Sequence, residues 1–158
     1  MFSFTKNKKK TELAPKIRRL CDVTTNNCSS PGDTKRVDDR YFRTIPTLLC
    51  RWEHGSPVED EWAIVLTRDL ADHGLSLILV TPVDIDELVV GFWPSQADMN
   101  EPWFFIGRQR NIRPIGGGFW TMGVELTEFA NEEYRCQLRA LLPLAEKLLP
   151  QQAAVAAQ

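Results

Sequence analysis

This sequence predicts a mainly β fold, a small six-stranded antiparallel β-barrel with a C-terminal α-helix. Three observations predict it. Six short segments rich in β-branched and aromatic residues lie between positions 45 and 126, separated by turn-forming residues such as Gly, Pro, Asn and Asp. Their close spacing leaves room for turns between neighbouring strands and little room for crossover helices. Only after Thr127 does the apolar pattern lengthen to a three-to-four spacing, which is the period of a helix.

The chain begins with a polar, basic leader. Residues 1–35 end in Thr25-Asn-Asn-Cys-Ser-Ser-Pro-Gly-Asp33, which reads as flexible linker, although residues 12–20 could form a short helix. The folded domain is expected over residues 36–149. Its first strand spans 45–52 and is closed by His54-Gly-Ser-Pro57; the second spans 61–67 and the third 74–80. Between these two lies Asp69-Leu-Ala-Asp-His-Gly74, a corner with Asp at its start and Gly at its end. Gly74 is expected to supply a backbone angle that a residue with a Cβ resists, and Asp69 to accept hydrogen bonds from backbone amides.

The fourth strand covers 88–93 and leads into a polar loop with Pro94, Asn100 and Pro102. The fifth covers 103–113, and Gly116-Gly-Gly118 turns the chain into the sixth, 119–126. Asn131 can cap a helix running through Tyr134, Leu138, Leu141, Leu142 and Ala145 toward Leu149, kinked or broken by Pro143. The apolar stripe of this helix is expected to pack on the barrel mouth. Residues 150–158 are rich in Ala and Gln and read as a disordered tail.

The chain has 158 residues, enough for one domain with a substantial core. Its formal net charge of −2 conceals an asymmetry. Residues 1–43 carry eleven Lys/Arg against five Asp/Glu, net +6, and the remainder carries eight against sixteen, net −8. A basic leader on an acidic body is suited to meeting an anion, or the body itself. The N-terminus lacks the apolar core of a signal peptide, and no stretch is long enough to span a membrane, so the expected location is the cytoplasm. Cys21, Cys28, Cys50 and Cys136 are scattered, and His54 and His73 form no ligand pair with them. Free thiols, no metal and no cofactor are expected.

Catalytic constellations are thin. Gly116-Gly-Gly118 lies between two strands and is a turn rather than a phosphate loop, and neither histidine neighbours a nucleophile motif. The chain is not expected to be an enzyme. The better clue is Lys35-Arg-Val-Asp-Asp-Arg-Tyr-Phe-Arg43, just ahead of the first strand. Arginines there can grip phosphates bidentately and stack on purine rings, and a corner carboxylate such as Asp69 can accept N–H bonds from a guanine edge. Alternatively, the same arginines pair with Asp33, Asp38 and Asp39 on the surface.

In order and spacing, this arginine-rich segment, Thr44-Ile-Pro46, the 69–74 corner and the late Met122-Gly-Val-Glu-Leu126 strand resemble PilZ domains. The resemblance covers about residues 35–140. It implies a six-stranded barrel that binds cyclic diguanylate through an RxxxR pair before the first strand and a (D/N)xSxxG corner between the second and third. Carried across, it implies ligand contacts from Arg36, Arg40, Arg43, Asp69, Ala71 and Gly74. There are two departures. Ala71 stands where the family has Ser, so a hydroxyl is missing. Arg36 and Arg40 satisfy the arginine spacing, but Arg40-Tyr-Phe-Arg43 before Thr-Ile-Pro resembles the end of the family motif more closely. In that register Arg43 is the second arginine and Asp39 takes the place of the first.

Two functions of different classes are therefore expected. One is a receptor or adaptor that binds cyclic diguanylate and couples it to a protein partner. The other is a degenerate barrel that binds only protein. A third reading, single-stranded nucleic acid stacking on the aromatics, is weaker because the body is acidic and most aromatics occupy core positions. Arg108-Gln-Arg-Asn-Ile-Arg113 can add positive charge to the barrel face.

Overall fold

The structure is a computed structural model, and it describes residues 41–94 and 101–149. Its strands are β1 (Tyr41–Phe42), β2 (Pro46–Glu53), β3 (Ser56–Ala71), β4 (Gly74–Leu79), β5 (Glu87–Phe92), β6 (Trp103–Gly116) and β7 (Phe119–Phe129). They lie in the order β1-β3-β2-β5-β6-β7-β4, all antiparallel, and β4 pairs back onto β3. The strands from β2 to β7 thus form a closed six-stranded barrel, as the sequence predicts, and β1 is an addition to it.

Closure depends on the length of β3. Its first part pairs with β2 up to Leu66, and its last part, from Leu66 to Ala71, pairs with β4. The expected second strand, 61–67, is too short at both ends. Glu59, Asp60 and Glu61 have the composition of a loop, yet they are strand residues, exposed where β3 runs out along β2. The β2–β3 turn is made by His54 and Gly55, with φ of 52° and 75°. Two successive positive angles match the twist of a two-residue hairpin. Gly117 and Gly118, at 65° and 82°, repeat this between β6 and β7.

Alternation along each strand fills the barrel. Leu49, Leu77, Leu88, Val90, Phe105 and Met122 are among the inward residues, each 3% exposed or less. On β2, β5 and β6 the outward residues are buried as well, which explains the continuous runs Leu48-Leu49-Cys50, Leu88-Val89-Val90 and Phe104-Phe105-Ile106. Their outer side is covered by Leu138, Leu141, Ala145 and Leu148. Burying a side chain of this size contributes roughly 1.5–3 kcal/mol, so this second layer is a substantial part of the core.

The C-terminal stripe therefore packs on the outer wall of β2, β5 and β6, not on the barrel mouth. The reason lies in those strands, which present apolar residues on both faces. Nor is the segment one helix from Asn131. It is α1 (Arg135–Leu138), a 3-10 turn (Arg139–Leu141) and α2 (Leu142–Glu146), with Pro143 in the first turn of α2. Pro has no N–H to continue the preceding helix, so the break falls where expected. Asn131 caps nothing. Its Oδ1 accepts the Phe104 N–H at 2.7 Å and its Nδ2 donates to the Pro102 carbonyl at 2.8 Å, tying the segment to β6. The Trp93 Nε1–H donates to the Ala145 carbonyl at 2.8 Å, and Trp52 meets Tyr134 edge-on at 5.1 Å. No helix among the described residues is long and apolar enough to cross a membrane.

Candidate functional site

The geometry of the corner follows from one bulge. Along β3, Thr67 stands opposite Leu77 of β4, but the next registered pair is Asp69 with Ser76, which leaves Arg68 as the extra residue. A bulge bends its strand and re-aims the side chains beside it. Inward residues before it are Val65 and Thr67, and the inward residue after it is Leu70, so Asp69 is turned to the outer face. There it lies between Phe42 of β1 on one side and Ser76 of β4 on the other, and it is only 5% exposed. Arg68 remains exposed.

Thr67 anchors the arginine segment to this corner. Fully buried, its hydroxyl donates to the Arg43 carbonyl at 2.5 Å and accepts the Ile45 N–H at 2.8 Å. Its own N–H donates to the Ile45 carbonyl at 3.0 Å. These bonds hold the step between β1 and β2 that an unbroken strand would lack. The Arg43 N–H donates to the Arg68 carbonyl at 3.3 Å, and the Arg43 guanidinium donates through Nη1 to the Phe42 carbonyl at 2.8 Å. Arg43 is thereby placed beside the 68–69 bulge. Thr67 was a plain strand end in the sequence, because nothing local shows that its hydroxyl has partners so far upstream.

Of the expected site residues, Arg43, Asp69, Ala71 and Gly74 fall on the joined ends of β1, β3 and β4. Arg36 and Arg40 lie outside the described residues, as does Asp39. Ala71 pairs with Gly74 across a two-residue turn of Asp72 and His73. Gly74 does not adopt a positive φ, which corrects the expected reason for a glycine there. Its role is close approach, since a Cβ would stand 2.7 Å from the Val124 carbonyl oxygen on β7. The Leu126 N–H donates to the His73 carbonyl at 2.8 Å, so β7 backs the corner directly.

The arginines of β6 are largely occupied. Arg108 pairs with Glu87 at 3.6 Å and Arg110 pairs with Glu125. Such exposed pairs contribute little to stability, but they lower the free positive charge of the face. On β2, Arg51 pairs with Glu61 and Glu53, which raises the Arg51 pKa, first through the hydrogen bond that its Nε–H donates to the Glu61 carboxylate. Cys50 is buried, its thiol donates to the Val58 carbonyl at 3.2 Å, and burial pushes its pKa up to about 11. Among the described residues, Cys50 and Cys136 are free thiols, and no cluster of His, Cys, Asp and Glu is arranged to hold a metal.

The chain is similar in structure to the inhibitor of motility MotI/DgrA of Bacillus subtilis, at 12% identity and a TM-score of 0.47. It is also similar to MrkH of K. pneumonia in complex with c-di-GMP, at 16% and 0.43, and to the PilZ domain of Escherichia coli YcgR with c-di-GMP, at 15% and 0.37. These likenesses cover 74%, 72% and 77% of this chain and 54%, 54% and 98% of the neighbours, so the chain spans about half the length of the first two. No protein-family model matches the chain, and no curated protein does.

Proposed function

We propose that the chain is a PilZ-type receptor for cyclic diguanylate, acting in the bacterial cytoplasm. The observation that carries this reading is the placement of Arg43 beside Asp69 by the pairing of β1 with the bulged end of β3. A guanidinium at the mouth of the corner can hold a phosphate bidentately or stack on a base. A neighbouring carboxylate on the outer face can accept the N–H groups of a guanine edge. The motif residues resemble the family's in order, and the backbone of Arg43 beside Arg68 and Asp69 supports this reading.

The receptor couples nucleotide to a protein partner. β1 is the point where the leader joins the barrel, so occupancy at Arg43 acts on the segment just before it and biases what that segment can bind. Calorimetric titration with cyclic diguanylate tests the reading, using the wild type, Arg43→Ala and Asp69→Ala. Wild-type binding at micromolar affinity or better, about −8 kcal/mol, is expected, with each substitution weakening it tenfold or more. No heat and no thermal shift from the wild type at saturating ligand would refute it.

One observation favours a second reading, a barrel that docks protein without nucleotide. Trp62, Ile64 and Leu66 alternate along the outer face of β3 and are 37%, 46% and 41% exposed, with Lys147 over the Trp62 ring at 5.0 Å. Contiguous exposed apolar residues mark interaction surfaces. If wild-type protein fails to bind nucleotide, this strip is where a partner would be sought.

A further inference from the structure

The strand register places a row of residues across the outer face that no sequence motif predicts. Asp69 on β3 stands opposite Ser76 on β4, Ser76 opposite Gly123 on β7, and Gly123 opposite Asn111 on β6. Directly opposed residues on one face of a sheet have Cβ atoms about 5 Å apart, so the row is continuous over four strands. The two middle strands contribute small residues, and the ends carry an acceptor and an amide.

Asn111 is exposed, but its amide leans over its neighbour. A Cβ on Gly123 would stand 2.9 Å from Asn111 Oδ1 and 3.0 Å from Nδ2, so the amide occupies the space that a side chain at 123 would fill. It is thereby carried across β7 toward Ser76. Neither the Ser76 hydroxyl nor the Asn111 amide makes a hydrogen bond among the described residues. The row is therefore a shallow polar shelf, with the Asn111 amide lying over Gly123 and unused donors and acceptors beside Asp69.

We propose that this shelf seats one purine base of the nucleotide, lying beside the Asn111 amide that covers Gly123, with Asp69, Ser76 and Asn111 reading its edge. The proposal rests on the receptor reading above and deepens it. It also accounts for Ala71. A residue at 71 lies two positions along β3 from Asp69, roughly 7 Å away, whereas Ser76 is its direct lateral neighbour. The hydroxyl missing from the corner is supplied across the strand pair by Ser76. Guanine presents both donors and acceptors on its edge, which suits a carboxylate, a hydroxyl and an amide acting together.

The test is calorimetric titration of the full chain with cyclic diguanylate, using wild type, Ser76→Ala, Asn111→Ala, Gly123→Ala, and Ser76→Ala combined with Ala71→Ser. Urea midpoints of all five check folding. Ser76→Ala and Asn111→Ala are each expected to weaken binding about tenfold at unchanged midpoint. Gly123→Ala is expected to weaken it similarly by displacing the Asn111 amide, with no polar group removed. Restoring a hydroxyl at 71 is expected to recover most of the affinity lost at 76. Wild-type binding with Ser76→Ala and Asn111→Ala both within twofold would overturn the shelf and leave the receptor reading standing. Absence of wild-type binding would overturn the receptor reading, and the shelf with it.

Discussion

Two glycines on the barrel wall have opposite surroundings, and substituting each by alanine separates their roles. At Gly74 an added Cβ meets the Val124 carbonyl oxygen at 2.7 Å, well inside ordinary contact at 3.4 Å and beyond. That oxygen belongs to the β4–β7 ladder, where Gly74 pairs with Glu125 and Leu75 with Val124, so it cannot move without parting the strands. Overpacking of this kind costs typically 1–3 kcal/mol. Removing a glycine returns about 0.4–1 kcal/mol by restricting the unfolded chain. The net expectation for Gly74→Ala is a loss of about 1–2 kcal/mol, and each kcal/mol lowers Tm by roughly 4–8 °C in a domain near 100 residues. At Gly123 the added Cβ meets only the tip of the Asn111 side chain, which can swing away, so Gly123→Ala is expected to lie within about 0.5 kcal/mol of wild type. Urea unfolding followed by tryptophan fluorescence measures both. The reasoning fails if Gly74→Ala is as stable as wild type, or if the two substitutions cost the same.

Asn131→Ala removes both partners that a buried amide provides, leaving the Phe104 N–H and the Pro102 carbonyl without them, and a loss of about 2–4 kcal/mol is expected by urea denaturation. Cys136 is expected to react with a maleimide in the native protein while Cys50 does not, as read by peptide mass mapping, because one thiol is exposed and the other buried with a raised pKa. For Cys50 the folded pKa of about 11 exceeds the ordinary 9.0, so its contribution to stability is full below pH 9.0 and is lost as pH rises toward 11. Unfolding midpoints compared with those of Cys50→Ala across that interval should show the wild type falling more steeply.

The barrel was legible because its evidence is local. Alternation such as Gly74-Leu-Ser-Leu-Ile-Leu79 and the Gly116-Gly-Gly118 turn each need only their own neighbours. The acidic opening of β3 was not legible, since Glu59, Asp60 and Glu61 avoid burial by running along β2 past the covered wall. The two-residue β1 sits in an arginine-rich segment with no alternation to reveal it. Asp69 and Arg43 were singled out from motifs, but their proximity exists only through the pairing of Phe42 with Asp69 and the hydroxyl of Thr67. Ser76 was invisible as a candidate for a related reason. Which residue of β3 it faces depends on the bulge at Arg68, a feature that shifts the register by one residue and leaves no mark on composition. Asn131 looked like a helix cap because Asn before an apolar stripe usually is one. Here two backbone groups of the β6 entrance compete for its amide and win.

The central claim is that nucleotide occupies the outer face where β1, β3 and β4 meet. The most direct measurement is an amide NMR titration of isotope-labelled full chain with cyclic diguanylate. Saturable shifts are predicted at Arg43, Arg68, Asp69, Gly74, Ser76 and Gly123, with Trp62, Ile64 and the residues of α1 and α2 unmoved. Shifts centred on Trp62 and Ile64, or none at saturating nucleotide, would contradict the account.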